Sequence, residues 1–276
     1  MMDWSRHDFL GRIAALAAEI PSAPEIYIHC GAEFQLNGIF DEPPQLLKAG
    51  KDWDDGLGDQ PNLDGALPEL LFGTVAGVPV MAAMHCRSYA EGGGIRPVIF
   101  PDALAYRLGA RKFIYIDAGI SLDAELKPGK WAMLTDFISS YGFSPLDGLH
   151  PYLPVPFPNL GSALSQFLNS EIINAIAESE PVPMLCSCCG IPGFQQLSPA
   201  AADKARNDGA AVVAADLVLH LPFACALGCD ASAMILAVSQ MLPGYYPAAV
   251  REDYTETCRF FSPHLRRALK KAIPEI

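Results

Sequence analysis

Two acidic side chains lie where a carboxyl group could do acid–base chemistry. Glu91 follows the apolar run at 78–84 in a glycine-rich turn, and Asp117 ends the apolar run at 113–116. In α/β proteins, ligands bind beyond the carboxyl ends of buried strands, and burial there raises the pKa of a carboxyl group. Asp117 is therefore a candidate general acid, with a structural carboxylate that caps a loop as the alternative. Glu91 is a second candidate site residue, or else an exposed residue that favours solubility.

Histidine and cysteine side chains offer other chemistry. His85 lies between a predicted strand and a turn, and His220 lies on a predicted helix. We interpret both as core residues or as residues that support a site. Cys186 and Cys189 form a C-x-x-C pair in an apolar run with no second Cys or His pair nearby. Because structural zinc needs four ligands, the pair predicts a buried strand of small residues rather than a metal or redox site.

Composition limits the possible partners. The chain has 276 residues, of which 51% are hydrophobic and 18% charged, and its formal net charge is -12. A surface that binds nucleic acid needs clustered Lys and Arg, so we expect no nucleic acid partner. The most apolar region, 210–238, is interrupted by polar residues, whereas a membrane-spanning helix needs about 20 nearly uninterrupted apolar residues. The N-terminus lacks the basic start of a secretory signal, so we expect a cytoplasmic protein without a membrane segment.

Apolar periodicity predicts alternating strands and helices. Strands are predicted at 25–30, 70–74, 78–84, 113–117, 131–137, 183–188, 212–215 and 231–238. Helices are predicted at 4–18, 98–108, 160–177, 198–207, 217–227 and 263–271, and a long surface excursion at 36–67. This alternation indicates an α/β fold with a mixed, mainly parallel central sheet flanked by helices. No repeat or change of composition divides the chain, so we predict a single domain over 1–276.

Four segments together resemble a known enzyme family. They are HCGAE at 29–33, SYAEGG at 88–93, IDAGISLDAELKPGKWAMLTDFI at 116–138 and GAAVVAADLVLHLPFACALGC at 209–229. In order and spacing they resemble the trimeric purine nucleoside phosphorylase and methylthioadenosine phosphorylase family, and the similarity extends over 26–238. The segment VPFP at 155–158 resembles an aromatic segment that, in that family, reaches the site of a neighbouring subunit.

The resemblance implies a nucleoside phosphorylase-like fold and phosphorolysis of an N-glycosidic bond. It further implies a homotrimer, a small-molecule nucleoside ligand and inorganic phosphate as a possible co-substrate, with no metal or organic cofactor. The family's phosphate positions fall at Gly31, Ala32, Cys86, Arg87, Ser88 and Asp216. Its substrate-binding positions fall at Ala118, Gly119, Phe194, Gln195 and Ala215, and its catalytic positions at Glu91, Asp117 and Ser239.

The phosphate positions depart from the family in chemistry. The resemblance implies serines where Ala32 and Asp216 stand, an arginine where Cys86 stands, and a histidine where Ser88 stands. Arg87 is one position out of phase, and a shift of one residue on a strand turns a side chain to the opposite face. A carboxylate beside a phosphate dianion weakens binding unless it is protonated or paired. We therefore expect a degenerate phosphate site.

The base and ribose positions are also altered. Phe194 keeps the aromatic residue of the family, but Gln195 replaces the acid that grips the purine. Ser239 lies near the position of an Asn or Asp that contacts the purine, and a hydroxyl group can donate a hydrogen bond although it is a poor acid. Ala215 replaces a methionine, which enlarges the cavity. The resemblance thus implies a pocket of retained shape and changed polarity.

Three functions are compatible with these residues. The first is phosphorolysis of a purine nucleoside or of methylthioadenosine, with Arg87 or Arg96 in place of the missing arginine. The second is hydrolysis, in which acids such as Glu33, Asp117 or Asp216 activate water. The third is non-catalytic binding of a planar aromatic ligand in an inherited apolar pocket. The dependence of base release on phosphate separates these three hypotheses.

Overall fold

The computed structural model describes residues 3–31, 34–49, 61, 66–193, 197–247 and 251–276. Nine strands lie within these ranges: β1 (Ile26–Cys30), β2 (Gln45–Lys48), β3 (Glu69–Val75), β4 (Val78–Met84), β5 (Lys112–Ser121), β6 (Trp131–Ser139), β7 (Met184–Gly190), β8 (Val212–Ala214) and β9 (Asp230–Gln240). Six α-helices accompany them: α1 (Asp8–Glu19), α2 (Ile95–Leu108), α3 (Gln166–Ala177), α4 (Pro199–Asn207), α5 (Leu217–Ala226) and α6 (Arg251–Ala272).

The described strands form one mixed sheet in the order β2-β3-β4-β1-β5-β8-β7-β6-β9. β9 also pairs with β5, so β5, β8, β7, β6 and β9 close into a ring, and β1, β4, β3 and β2 extend from it. Five pairings are parallel, namely β1 with β4 and β5, β5 with β9, and β7 with β6 and β8. The other four are antiparallel. The predicted α/β fold with a mixed, mainly parallel sheet is confirmed.

β5 belongs both to the ring and to its extension. It pairs with β1 near its beginning and with β8 at its end, and its register with β9 shifts between Gly119 and Ile120. A Cβ atom at Gly119 would lie 2.5 Å from the carbonyl oxygen of Val213 and 2.9 Å from Cγ2 of Ile235. The backbones approach this closely because residue 119 has no side chain. Closure of the ring therefore depends on glycine at this position.

Helices cover both faces of the sheet. The core under α1, α2 and α5 includes Phe100 and Phe223, which are fully buried. The core on the opposite face includes Ile172 of α3 and Leu265 of α6. Strands that are buried on both faces consist of nearly continuous apolar residues, which is why periodicity located most of them. None of the described helices combines the length and apolar character that a bilayer crossing requires.

Of the predicted helix boundaries, the starts of the third and the last helix differ most from the structure. The helix predicted at 263–271 begins at Arg251, and Pro263 lies inside this long amphipathic helix α6. α3 begins at Gln166 rather than at 160, because Ser165 caps it by accepting a hydrogen bond from the N–H group of Leu168.

One strand was missed by the sequence analysis. β2 lies within the predicted surface excursion at 36–67 and pairs antiparallel with β3, with Gln45 opposite Phe72. Its four residues are too few for alternation to be recognised. Its strand conformation follows from pairing with an existing edge, which the local sequence does not encode.

Replacement of Gly119 by alanine should destabilise the protein, because the added Cβ atom would overlap the backbone of β8. Overpacking of this kind costs about 1–3 kcal/mol, and chemical denaturation of the variant and the wild type measures it. Gly142→Ala is the matched control, since no described atom lies within 4 Å of a Cβ atom added there. Equal stability of the two variants would contradict the role given to Gly119.

Candidate active site

The carboxyl end of β1 lies beside the middle of β5 and brings Gly31 to Asp117, which was predicted to end its strand but lies within β5 (Lys112–Ser121). The strands are parallel with Cys30 opposite Ile116, and the N–H group of Gly31 donates to the carbonyl oxygen of Ile116 at 2.8 Å. A Cβ atom at Gly31 would lie 2.9 Å from Oδ1 of Asp117. The same Oδ1 atom accepts a hydrogen bond from the N–H group of Ala118 at 2.8 Å. The Asp117 carboxyl group is therefore held against the turn that follows β1.

Glu91 is bound within its own turn. Its Oε2 atom accepts a hydrogen bond from the N–H group of Ser88 at 2.8 Å, and Ser88 Oγ accepts one from Ala90 at 3.2 Å. This reciprocal capping fixes a single turn of 3-10 helix after β4. Arg87 Nη2 donates to the carbonyl oxygen of Glu91 at 2.6 Å. Glu91 therefore shapes the turn that carries Ser88, and Arg87 binds the same turn.

Asp216 joins this turn to the start of α5. Its carboxyl oxygens accept hydrogen bonds from the N–H group of Tyr89 at 3.2 Å and from the Ser88 hydroxyl group, and Oδ1 lies 3.5 Å from the Tyr141 hydroxyl oxygen. Burial raises the pKa of Asp216 above its ordinary value, although the Ser88 hydrogen bond and the charge of His220 oppose this. Ser88 and Asp216 thus meet directly at the position where the resemblance implies phosphate.

Tyr141 anchors the loop after β6 to the same place. Its hydroxyl group donates to the carbonyl oxygen of Ile191 at 2.7 Å and also contacts the carbonyl oxygen of Ala215. Burial, followed by the negative charge of Asp216, raises the pKa of Tyr141. Ala215 is half-buried, and its backbone is fixed by this contact. The tyrosine therefore connects two strand ends that flank Asp216.

The residues considered as replacements for the phosphate arginine lie in different environments. Cys86 is half-buried, with Sγ 3.8 Å from the carbonyl oxygen of Met84, and burial raises the pKa of its thiol. The Arg87 guanidinium packs along the glycine turn, with Nη1 3.4 Å from a Cβ atom built on Gly93. Arg96 contacts the ring of Phe9 on α1 at 5.9 Å. The two arginines therefore have binding partners within the protein, and Cys86 remains a neutral thiol.

The remaining predicted residues divide into two groups. Ala118 and Gly119 are buried on β5, and Ser239 lies on β9 opposite Ile120, so all three belong to adjacent parallel strands and the same sheet edge. Ala32, Phe194 and Gln195 lie outside the described residues, as does Glu33. The structure brings Gly31 to Asp117 and Ser88 to Asp216, and the charges of both carboxyl groups act on Tyr141 and His220.

A buried polar network beneath this edge was not predicted. Asp102 of α2 is fully buried, and its two oxygens contact the Tyr115 hydroxyl group at 2.6 Å and Nδ1 of His220 at 2.8 Å. His29 of β1 contacts the Tyr27 hydroxyl group through Nδ1 at 3.0 Å, and its ring centroid lies 4.2 Å from that of His220. The sequence contained one signal for it: Asp102 is the one acidic residue in the apolar stretch 98–105, and a buried acid needs a partner.

The pKa values of the two histidines are shifted in opposite directions. Burial alone would lower the pKa of His220, but Asp102, with contributions from Asp216 and Asp117, holds that pKa above its ordinary value. Burial and the neighbouring charge of His220 lower the pKa of His29 well below its ordinary value. Asp102 therefore favours the charged form of His220, whereas burial favours the neutral form of His29.

Metal ligation is not indicated by the described side chains. None of them form a group of three or more His, Cys, Asp or Glu residues that could hold an ion. In the C-x-x-C pair, burial raises the pKa of the Cys186 thiol to about 12, which opposes the thiolate form that binds metals and reacts with disulfides. The pair lies on β7, the buried strand that the sequence analysis predicted.

Comparison with known proteins identifies a family. Residues 57–274 match the model of the Phosphorylase superfamily. Purine nucleoside phosphorylase 1 of Bacillus subtilis (strain 168) is 27% identical over 181 residues, which are 64% of this chain and 65% of the relative. Purine nucleoside phosphorylase 1 of Geobacillus stearothermophilus is 27% identical over 159 residues, 55% of each chain. The chain thus spans less than two thirds of the length of these curated relatives.

Solved structures share the fold. A crystal structure of Schistosoma mansoni purine nucleoside phosphorylase in complex with inosine superposes with a TM-score of 0.87 at 20% identity. The alignment covers 98% of this chain and 97% of that chain. The similarity extends over nearly every element and supports the nucleoside phosphorylase-like architecture implied by the sequence.

Replacement of Tyr141 by phenylalanine should destabilise the edge around Asp216. The carbonyl oxygens of Ile191 and Ala215 would lose a donor, and an unsatisfied buried polar group costs about 1–3 kcal/mol. Chemical denaturation measures the loss, and the exposed Tyr245→Phe is the matched control. If both variants were as stable as the wild type, the hydroxyl group of Tyr141 would have no anchoring role.

Proposed function

The chain belongs to the Phosphorylase superfamily, and from this premise we propose that it cleaves the N-glycosidic bond of a purine nucleoside or of methylthioadenosine by phosphorolysis. One observation carries the proposal. Gly31, Ser88, Asp117 and Asp216, which come from segments far apart in the chain, surround one edge of the sheet. This is the place where α/β sheets bind ligands, and it joins the positions that the resemblance assigns to phosphate and nucleoside.

Phosphorolysis forms one bond and breaks one. An oxygen of phosphate bonds to the anomeric carbon while the bond from that carbon to the base nitrogen breaks, and its electron pair leaves with the base, which is then protonated. In the proposal, phosphate lies beside Gly31, Ser88 and Asp216, and the sugar and base lie along Ala118, Gly119 and Ser239. Positioning of the two reactants and stabilisation of the departing charge supply most of the catalysis.

In the proposal, the protonation state of Asp216 controls how strongly the site binds phosphate. As a carboxylate it opposes a dianion, whereas as a neutral carboxyl group it can donate a hydrogen bond as a serine hydroxyl group does. Because the pKa of Asp216 is raised, the neutral form persists to higher pH than for an ordinary aspartate. Phosphate binding through this residue is expected below the raised pKa and is lost as the pH rises through it.

Hydrolysis is the second candidate function. The Asp216 carboxyl group and the Ser88 hydroxyl group bind each other, so both must exchange partners before they contact phosphate. A carboxylate at this position could instead accept a proton from water that attacks the anomeric carbon. The two reactions differ in whether the rate depends on phosphate.

Incubation with inosine, adenosine or methylthioadenosine tests the proposal. We expect the free base to be released, as followed by absorbance, and the rate to increase with phosphate concentration. Release that is independent of phosphate would replace phosphorolysis by hydrolysis. No release under any condition would overturn both and leave binding of a planar aromatic ligand.

Two variants at Asp216 serve as the matched pair in this assay. Asp216→Ser restores a hydroxyl group and removes the carboxylate, and we expect a fall of about tenfold in the phosphate KM, equivalent to about 1.4 kcal/mol. Asp216→Asn keeps the size and the acceptor oxygen and should act in the same direction. An unchanged phosphate KM in both variants would contradict the placement of phosphate beside Asp216.

We further propose a homotrimer in which the segment at 155–158 contacts a neighbouring copy. Phe157 is 84% exposed and stacks on His150, and Val155 is also exposed. Light scattering of the purified protein should give three times the mass of the chain. Phe157→Ser should weaken the assembly, whereas Phe260→Ser, an exposed aromatic on α6, should not. A monomeric wild type would overturn this proposal.

A further inference from the structure

We propose that the carboxylate of Asp216 makes the cleft beside it selective for an N-glycoside whose leaving base is a pyridinium-type cation over one whose base is neutral. The inference deepens the proposed function and depends on it for the position of the glycosidic bond. Three observations support it. They are the exposure of Asp216, the charges around it and the lack of an acid on the strand that would contact the base.

The exposure of individual residues shows that a ligand can reach Asp216. The helix α5 is buried from Leu217 to Ala224, whereas the two residues before it, Ala215 and Asp216, are half-buried. Asp117 is likewise half-buried within a stretch of β5 that is otherwise buried, and so is His29 within β1. Half-exposed positions within buried segments mark the wall of an accessible cleft. Asp216 is one of these positions.

The charge of Asp216 is not matched by a cation of its own among the described residues. The positive group that acts on Asp216 is His220, and Nδ1 of His220 is already paired with Asp102 at 2.8 Å. Arg87 donates to the carbonyl oxygen of Glu91, on the turn after β4. A cation that enters the cleft would therefore find a carboxylate whose charge the protein offsets only in part.

The other groups that surround Asp216 supply negative charge or none. Burial raises the pKa of Asp216, and the charge of Glu91 adds to this effect. Burial also raises the pKa of Tyr141, followed by the charges of Asp216 and Asp117, so the Tyr141 hydroxyl group stays neutral. Tyr89 contributes its backbone N–H group. A bound cation would offset this repulsion and would lower the pKa of Asp216.

The strand that would contact the base offers no acid there. In the proposed function the base lies along Ser239, which is half-buried near the end of β9. The one acidic residue of β9 is Asp230, at the opposite end of the strand. A neutral purine leaves with an electron pair and must then be protonated, for which a serine hydroxyl group is a poor acid. A pyridinium base leaves as a neutral molecule and needs no proton.

Cleavage of a pyridinium glycoside keeps one positive charge near Asp216 throughout. The bond from the anomeric carbon to the ring nitrogen breaks, and its electron pair neutralises that nitrogen. The positive charge passes to the anomeric carbon, which then bonds to an oxygen of phosphate or of water, and water gives up one proton. A fixed carboxylate stabilises the charge before and during this transfer. We therefore expect the effect in kcat/KM.

Base release from two nucleosides tests this selectivity in the full chain. Nicotinamide riboside is a permanent cation, and inosine is neutral below neutral pH. We expect the ratio of kcat/KM for nicotinamide riboside to that for inosine to increase as the pH rises through the raised pKa of Asp216, because the carboxyl group becomes a carboxylate. The increase should be lost in Asp216→Asn, which identifies Asp216 rather than His220 as its source.

The variants also separate a local from a general effect of charge. Asp216→Asn keeps the size of the side chain and should lower the ratio at least about tenfold. Asp230→Asn removes the same charge from the exposed first residue of β9 and should leave the ratio unchanged. Circular dichroism establishes that both variants are folded.

A binding measurement covers protein that has no turnover. The cation 1-methylnicotinamide should bind the wild type at least about tenfold more tightly than neutral nicotinamide. Asp216→Asn should remove this difference, and Asp230→Asn should retain it. Calorimetric titration gives the two dissociation constants for each protein.

The results distinguish the inference from the proposed function. Release of base from inosine, with a ratio that changes neither with pH nor in Asp216→Asn, would overturn the inference and leave the proposed function standing. Release from nicotinamide riboside alone would support the inference and overturn the specificity for purine nucleosides. Without release from either, tighter binding of the cation through Asp216 would support the charge selectivity alone, and equal binding of the two bases would overturn both proposals.

Discussion

A carboxylate without solvent exposure must be matched by charge or by hydrogen bonds, and Asp102 imposes this constraint on the fold. Its burial between α2 and β5 is compatible with a stable protein because Tyr115 and His220 occupy its two oxygens. Removal of one partner of a buried pair leaves an uncompensated charge, at a cost of about 3–5 kcal/mol. The pair therefore fixes α5 relative to α2, and through α5 it fixes Asp216 at the edge of the sheet.

The polar group at the rim of the cleft is an acid, where the family resemblance implies a hydroxyl group. At its rim, Asp216 is held by Ser88 and by the N–H group of Tyr89, so an acid occupies the place of a hydroxyl group. Below it, burial lowers the pKa of His220, but the charge of Asp102 outweighs this effect and holds that pKa above its ordinary value. The charges of both groups therefore depend on pH.

The sheet explains why these groups meet. β5 is shared between a closed ring of strands and an open extension, because its first half pairs with β1 and its last residues pair with β8. Gly119 permits the close approach of β8, and Gly31 permits the approach of Asp117 to the turn after β1. The absence of a side chain at Gly119 and at Gly31 thus permits the close contacts of β5 with β8 and with the turn after β1. Backbone contacts thus position Asp117 and Gly119 within the site.

The sequence by itself determined the alternation of strands and helices, the apolar character of both sheet faces and the segments that resemble a family, because each is a local pattern. The sequence did not reveal which residues, distant in the chain, would pair. Asp102 and His220 are 118 residues apart, and Tyr89 and Asp216 are 127 residues apart, and no periodicity records which buried polar groups will meet. Only the tertiary structure decided those partners, since they are set by the closure of the ring and by the requirement that buried charges and hydrogen-bonding groups be satisfied.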